Sequence, residues 1–199
     1  MQSPKIVQKQ QAHKKRIIQA AVSLIQKQGI EALNVRSVCQ AADIAAGTFY
    51  YYFKNKESLL MAFVMEDTFE HFVLKTPLKH PDKRMAELYG ILIKKYQSFG
   101  KPFMRSFYTT SNTALSAYMQ EKDGQFAAGT IMARSEQELF NAQQKGILKK
   151  DVPIHPICMD LCTIVKGTIF EWCLTEEEWD IQPVLLRLFT NYFSSYVVM

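Results

Sequence analysis

The 199-residue chain is nearly half apolar and 22% charged, with eight glycines, seven prolines and little period-two alternation, which excludes a disordered chain and favours an all-α fold. Its net charge of +5 is unevenly placed: residues 1–60 hold nine Lys/Arg against three Asp/Glu, and residues 61–199 fifteen against sixteen, so the basic first third suits a polyanionic partner. No apolar run is long enough to span a membrane, Met1 to Arg16 lack the apolar stretch of a secretory signal, and four cysteines are too few for a disulfide scaffold; a cytoplasmic protein with reduced thiols is expected.

Residues 9–28 read as the first helix, with Ile17, Ala20, Ala21, Leu24 and Ile25 recurring at three- and four-residue spacing and Gly29 as its stop. Asn34 suits the N-cap of a two-turn helix over 35–42. After a break at Asp43-Ile44, a second short helix runs from Ala46 to Tyr52, and Asn55 caps a helix from Lys56 through Leu59, Leu60, Phe63 and Val64 to about Leu74. Pro77 to Pro81 read as a linker. Further helices are expected over 82–99, ended by Gly100 and Pro102, over 103–121, and over 124–144, stopped by Gly146. Pro153 opens an apolar helix to about Leu174, and an acidic turn (Glu176, Glu177, Glu178) leads to a last helix from about Pro183. About nine helices result, with no internal repeat.

Two short helices across a tight turn, packed on a longer preceding one, form the helix-turn-helix plan. Val38, Ile44, Phe49 and Phe53 have the spacing of its small core, and Asp43 stands where the chain should pass through a left-handed conformation. With Phe49 and Phe53 inside, Ala46, Gly47, Thr48, Tyr50, Tyr51 and Tyr52 face outward. Small residues at the start of the second helix let its backbone approach a groove floor, and Thr48 can hydrogen-bond a phosphate or base. Three consecutive tyrosines on so short a helix cannot all be buried, and phenol hydroxyls are good phosphate donors. Lys54 and Lys56 flank the N-terminus of the next helix, where its dipole disfavours cations; a phosphate held by lysine and free backbone amides explains them.

The stretch Gly47-Thr48-Phe49-Tyr50-Tyr51-Tyr52-Phe53-Lys54-Asn55-Lys56-Glu57 resembles the DNA-binding domain of the tetracycline-repressor (TetR) family, over roughly residues 10–62. Asp43 departs from the family's usual turn glycine, and Ala45 and Ala46 from a frequent Ser and Lys. The resemblance implies a helix-turn-helix DNA-binding domain over 1–60 and a larger effector-binding and dimerisation domain over 61–199. It implies DNA contacts from Asn34, Arg36, Ala46, Gly47, Thr48, Tyr50, Tyr51, Tyr52, Lys54 and Lys56, with Arg36 reaching a base or phosphate. Missing polar side chains at the recognition-helix start shift specificity toward Arg36, Thr48, thymine methyls and DNA shape.

The resemblance also implies an effector pocket among the C-terminal helices and a homodimer through the last two. Helix 153–174 is apolar around most of its circumference, and Leu185, Leu186, Leu188, Phe189, Tyr192 and Phe193 make the last helix similar. Phe99, Phe103, Phe107, Tyr108, Tyr118, Phe126 and Trp172 are candidate pocket residues for a small, apolar effector, with Thr109, Thr110, Ser111 and Asn112 as polar contacts. His155, Cys158 and Cys162 lie within two helical turns, but on a helix that otherwise reads as core, so structural cysteines are expected rather than a metal site.

No Ser/His/Asp set, carboxylate pair or glycine-rich phosphate loop marks an enzyme, and no cofactor is expected. The reading is therefore a repressor that binds inverted-repeat operator DNA as a dimer and is released by a small molecule. Its rivals are an activator or architectural DNA-binder without effector, and a lipophilic-ligand carrier.

Overall fold

The computed structural model describes residues 4–64, 69–109, 112, 113, 115 and 121–198, without the side chains of residues 4–9, 26, 63 and 64. Among these are nine α-helices, two 3-10 turns (Ile30–Ala32 and Phe69–His71) and no strand beyond two isolated bridges. Contacts divide the chain into two units, one of residues 1–66 and 102–117, the other of residues 67–101 and 118–199.

The first unit opens with α1 (Pro4–Gln28), which starts one turn earlier than expected. Gly29 (φ 80°) stops it, and α1 packs on α2 (Val35–Ala42) and on α4 (Lys56–Val64). At Asn34 a capping box forms: Asn34 Oδ1 accepts from the Ser37 amide at 2.9 Å and Ser37 Oγ accepts from the Asn34 amide at 3.1 Å. Asp43 ends α2 in the left-handed conformation (φ 51°, ψ 58°), as its position demanded. The next helix, α3, spans Ala46–Tyr52. Ile17, Ala21, Val38, Phe49, Phe53 and Leu59 are buried and form the core of this unit, with Ile44 only half-buried.

Helix α6 (Lys101–Phe107) carries the chain back into this unit from Pro102. The preceding helix ends at Phe99 with Gly100 as its cap, as expected, and Pro102 sits in the first turn of α6, where its missing N–H costs nothing. The expected helix over 103–121 stops at Phe107 because Asn112 intervenes: its Nδ2 donates to the Phe107 carbonyl at 3.0 Å, while its Oδ1 accepts from the Leu115 amide at 3.0 Å. One side chain thus closes one helix and caps the next turn.

The second unit is a ring of four helices. Helix α5 (Pro81–Phe99) packs on α9 (Ile181–Phe193), α9 on α8 (Ile154–Leu174), α8 on α7 (Ile131–Gln144), and α7 on α5. Its core repeats every four residues, through Ile157, Leu161, Val165 and Ile169 on α8 and Ile181, Leu185, Phe189 and Phe193 on α9, all buried. Gly90 brings α5 and α9 close, since a Cβ there would lie 2.4 Å from Gln182 Nε2.

Two further expectations fail. The helix from Lys56 does not run to Leu74: its described part spans Lys56–Val64, residues 65–68 lie outside the described residues, and residues 69–80 form a non-α connection that opens with the Phe69–His71 turn. Polar side chains hold that connection. Arg134 donates to the Glu70 carbonyl (2.6 Å), Arg84 to the Thr76 carbonyl, and Glu87 accepts from the Lys75 and Thr76 amides at 2.7 Å each. The helix expected over 124–144 begins only at Ile131, because Asp123, Gly124 and Gly129 all adopt positive φ and Thr130 then caps α7.

Candidate nucleic-acid interface

Helix α3 displays the residues that the sequence singled out. Phe49 points inward, against Phe53 (ring centroids 5.7 Å apart). Tyr50 and Tyr51 stand outward at 57% and 67% exposure, far above the usual state of such large rings. Tyr52 is half-buried and packs edge-on against Tyr51, with ring centroids 4.9 Å apart. Ala46 and Gly47 are exposed and Thr48 half-exposed. A Cβ built on Gly47 meets nothing within 4 Å. The protein's own packing therefore does not require glycine there, although glycine in a helix costs about 0.5–1 kcal/mol relative to alanine.

Around α3 lies a field of exposed cations. Arg36, Lys54 and Lys56 are exposed, and among the described residues no hydrogen bond or ion pair engages their side chains. Lys14 is also exposed, and its Nζ lies 5.9 Å from the centroid of the Phe53 ring, so α1 adds to the same field.

The two cap residues are already engaged. Asn34 Nδ2 donates to the Ala32 carbonyl at 3.4 Å and Oδ1 serves the α2 cap. Asn55 Oδ1 accepts from the Ser58 amide at 2.8 Å, so that amide of the α4 N-terminus is satisfied within the chain. Ala45, at the α3 N-cap, provides no side-chain acceptor.

Sequence reasoning missed two supports of this surface. Gln10 Nε2 donates to the Tyr51 hydroxyl at 2.9 Å, fixing the most exposed ring from 41 residues away. Arg16 donates to the Ala42 carbonyl (2.6 Å) and the Asp43 carbonyl (3.3 Å), closing the C-terminus of α2 at the turn. Only the positions of Gln10 and Arg16 on the first helix hinted at either contact, because both depend on how α1 crosses α2 and α3.

The candidate effector residues fall into both units. Phe103 and Phe107 stack at 5.8 Å in the first unit, where Tyr108 also lies, beside Phe107. In the second unit Phe99 packs on Tyr96, Phe126 stacks on His155, and Trp172 Nε1 donates to Glu178 at 3.3 Å. Tyr118, with Thr110 and Ser111, lies outside the described residues. A pocket of about 500 Å³ in the second unit is lined by Leu78, Arg84, Glu138, Asn141, Gln144 and Lys145, and by none of those aromatic residues. Cys158 and Cys162 are buried, and burial pushes both thiols up, that of Cys158 to about 12. Such thiols are poor nucleophiles and ligands, and the described residues hold no group of three His, Cys, Asp or Glu able to bind a metal. No helix among them is long and apolar enough to cross a membrane.

Residues 17–63 match the family model for bacterial regulatory proteins of the tetR family. The transcriptional repressor KstR of Rhodococcus jostii (strain RHA1) is 43% identical over 53 residues, 27% of this chain. That match spans 25%, about a quarter, of KstR's own length. The fatty acid metabolism regulator protein of Bacillus subtilis (strain 168) is 41% identical over 168 residues, covering 83% of this chain and 86% of that protein. The solved structure of Thermus thermophilus FadR, a TetR-family repressor in complex with lauroyl-CoA, shares the fold. Its TM-score is 0.63 at 18% identity, over 88% of this chain and 92% of that one.

Proposed function

Because this chain belongs to the TetR family of bacterial regulatory proteins, which are transcription regulators rather than enzymes, we propose that it is a cytoplasmic repressor that binds an inverted-repeat operator as a dimer and leaves it when a small apolar effector binds. The observation that carries this reading is the outward face of α3. Two large rings and an unoccupied glycine face solvent amid exposed cations, at a cost in helix propensity and apolar exposure that only a partner offsets. Residues 1–60 form the DNA-binding domain in this reading. Gly47 and Thr48 approach the groove, Arg36 reads a base or phosphate, and Tyr50, Tyr52, Lys54 and Lys56 hold phosphates. Tyr51 and Asn34 act on DNA while keeping their contacts to Gln10 and Ser37.

Dimerisation belongs to residues 61–199. On α8, Met159, Thr163, Gly167, Phe170 and Leu174 recur at three- and four-residue spacing and are all exposed, Phe170 at 53% and Leu174 at 60%. Leu186 on α9 is exposed too, and a Cβ on Gly167 would meet nothing within 4 Å. An apolar stripe with small residues at its middle suits the same stripe of a second copy, related by a two-fold axis. Such a dimer presents two α3 helices to one face of a duplex, about one helical turn or a multiple apart.

The effector reading rests on relatives: one is named for fatty acid metabolism and another was solved with lauroyl-CoA. We extend that class to this chain, so lauroyl-CoA is the first effector to try. The test is selection of bound duplexes from a random library, with affinity then measured against salt and against added lauroyl-CoA. An inverted repeat whose affinity falls steeply with salt supports the operator-binding dimer. Recovery of no sequence overturns it, and an operator complex indifferent to lauroyl-CoA overturns the effector class alone.

A further inference from the structure

The chain leaves the second unit after Lys101, contributes residues 102–117 to the first unit, and is back in the second by Glu121. Lys101 and Glu121, which stand on either side of this segment, reach opposite ends of one helix of the second unit, α8. At the departure, Lys101 is 7% exposed and donates from Nζ to the carbonyls of Thr175 (2.9 Å) and Glu177 (2.6 Å), just past the α8 C-terminus. The same Nζ lies 3.6 Å from the Glu178 carboxylate and 5.3 Å from the Trp172 ring centroid. Carbonyls at a helix C-terminus, a carboxylate and a ring face together supply what an enclosed ammonium needs.

At the return, His155 stands on the first turn of α8 between two carboxylates. Its Nδ1 is 2.6 Å from Glu136 Oε1 of α7, and its Nε2 is 3.3 Å from Glu121 Oε1. The imidazole stacks on Phe126, with ring centroids 4.3 Å apart and planes 19° apart. Glu121 and Phe126 flank a tight turn closed by the Lys122 and Gln125 main chains at 3.0 and 3.1 Å, so one ring holds both ends of a small closed loop. The carboxylates sit on opposite edges of the ring. A metal would gather them on one nitrogen, so this geometry is a proton site.

We propose that α8 anchors the chain at both of its own ends, with Lys101 as a fixed pin at its C-terminus and His155 as a proton-operated latch on residues 121–126 at its N-terminus. An imidazolium keeps the hydrogen bond to Glu136 and turns its second N–H edge toward Glu121 at ion-pair distance, whereas a neutral imidazole bonded to Glu136 through Nδ1–H turns a lone pair toward the Glu121 carboxylate. The groups facing His155 are Glu136 from α7, Glu121 from the return segment and Cys158 one turn along α8. The Cys158 thiol, held up by burial, stays neutral and takes no part. The hydrogen bond with Glu136, against the opposing effect of burial and helped by the nearby Glu121 carboxylate, holds the imidazole above its ordinary pKa. The latch is therefore fully engaged below the ordinary histidine range and is lost as pH rises through the raised value.

Its consequence for transcription rests on the proposed function: with the first unit as the DNA-binding one, operator affinity would vary with pH. The latch itself is tested without DNA or effector, so its failure leaves that reading untouched. Amide hydrogen exchange would be followed on the full chain from about pH 5.5 to about pH 8.5, corrected for the intrinsic pH dependence. Residues 121–130 should lose about tenfold protection in a step, the effect of one charge-assisted hydrogen bond. His155→Gln should show the low protection at every pH, with no step. Lys101→Met should lower protection of residues 102–109 at every pH and leave the step in 121–130 intact. A wild-type profile without the step overturns the latch, whatever the variants do, and so does a step that survives in His155→Gln. Unchanged protection of 102–109 in Lys101→Met overturns the pin.

Discussion

Thr48 and Tyr50 lie two residues apart on α3, yet opposite consequences follow from changing them. A hydroxyl aimed at phosphate carries no sequence information, whereas a methyl or hydroxyl against a base edge does. Tyr50→Phe should weaken binding to every duplex alike, and Thr48→Ala or Arg36→Ala should narrow the gap between the operator and its single-base variants. Each lost base contact should narrow that gap by about 1–3 kcal/mol. Affinities across a panel of mutated sites check this, and the reverse pattern would reassign the residues. Much at this scale was legible in the sequence because its causes are local. Asp43 sits in a turn that needs a left-handed residue, and Asn34 and Asn55 each stand three residues before the amide they cap. Arg16, Lys101 and the two carboxylate partners of His155 were not legible, since their partners lie 19 to 76 residues away.

Among the elements, periodicity located the helices well and their ends poorly. The core stripes of α8 and α9 follow the four-residue spacing that the sequence displays. The end of α6 at Phe107, however, is set by Asn112, and the late start of α7 by three positive-φ residues and the Thr130 cap. The connection over 69–80 is irregular for a different reason: α5 and α7 supply the hydrogen bonds that a helix would otherwise supply itself. Its keystone is Glu138, 7% exposed and paired with Arg84 at 2.8 Å and Arg134 at 2.7 Å. Removing the carboxylate leaves two guanidinium groups short of a partner at a largely buried site. Glu138→Ala should cost about 3 kcal/mol or more and lower Tm by roughly 6–12 °C, with Glu138→Gln milder. A thermal shift within 2 °C of wild type in the alanine variant would mean that solvent already screens the cluster.

For the whole molecule, the decisive surface is the exposed stripe of α8. Phe170 is too exposed to matter much to a single subunit, so a charge there should change the stability of an isolated subunit by only about 0.5 kcal/mol. In the proposed dimer the same charge is buried unpaired at the interface. Phe170→Glu should therefore give a folded monomer by light scattering, with operator affinity lower by about a hundredfold or more through lost bivalency. An intact dimer with unaltered affinity would move the interface elsewhere.

The all-α class, the helix-turn-helix with its inward Phe49 and Phe53, the basic first third and the family resemblance were all readable along the chain. Each of these is a matter of local spacing or of composition. Packing alone settled that Asn112 ends a helix, that residues 102–117 join the first unit, and that Lys101 and Glu121 reach opposite ends of α8. Long-range polar contacts have no period. A lysine or histidine on a helical pattern looks the same whether it faces water or two carboxylates, until packing places the partner beside it.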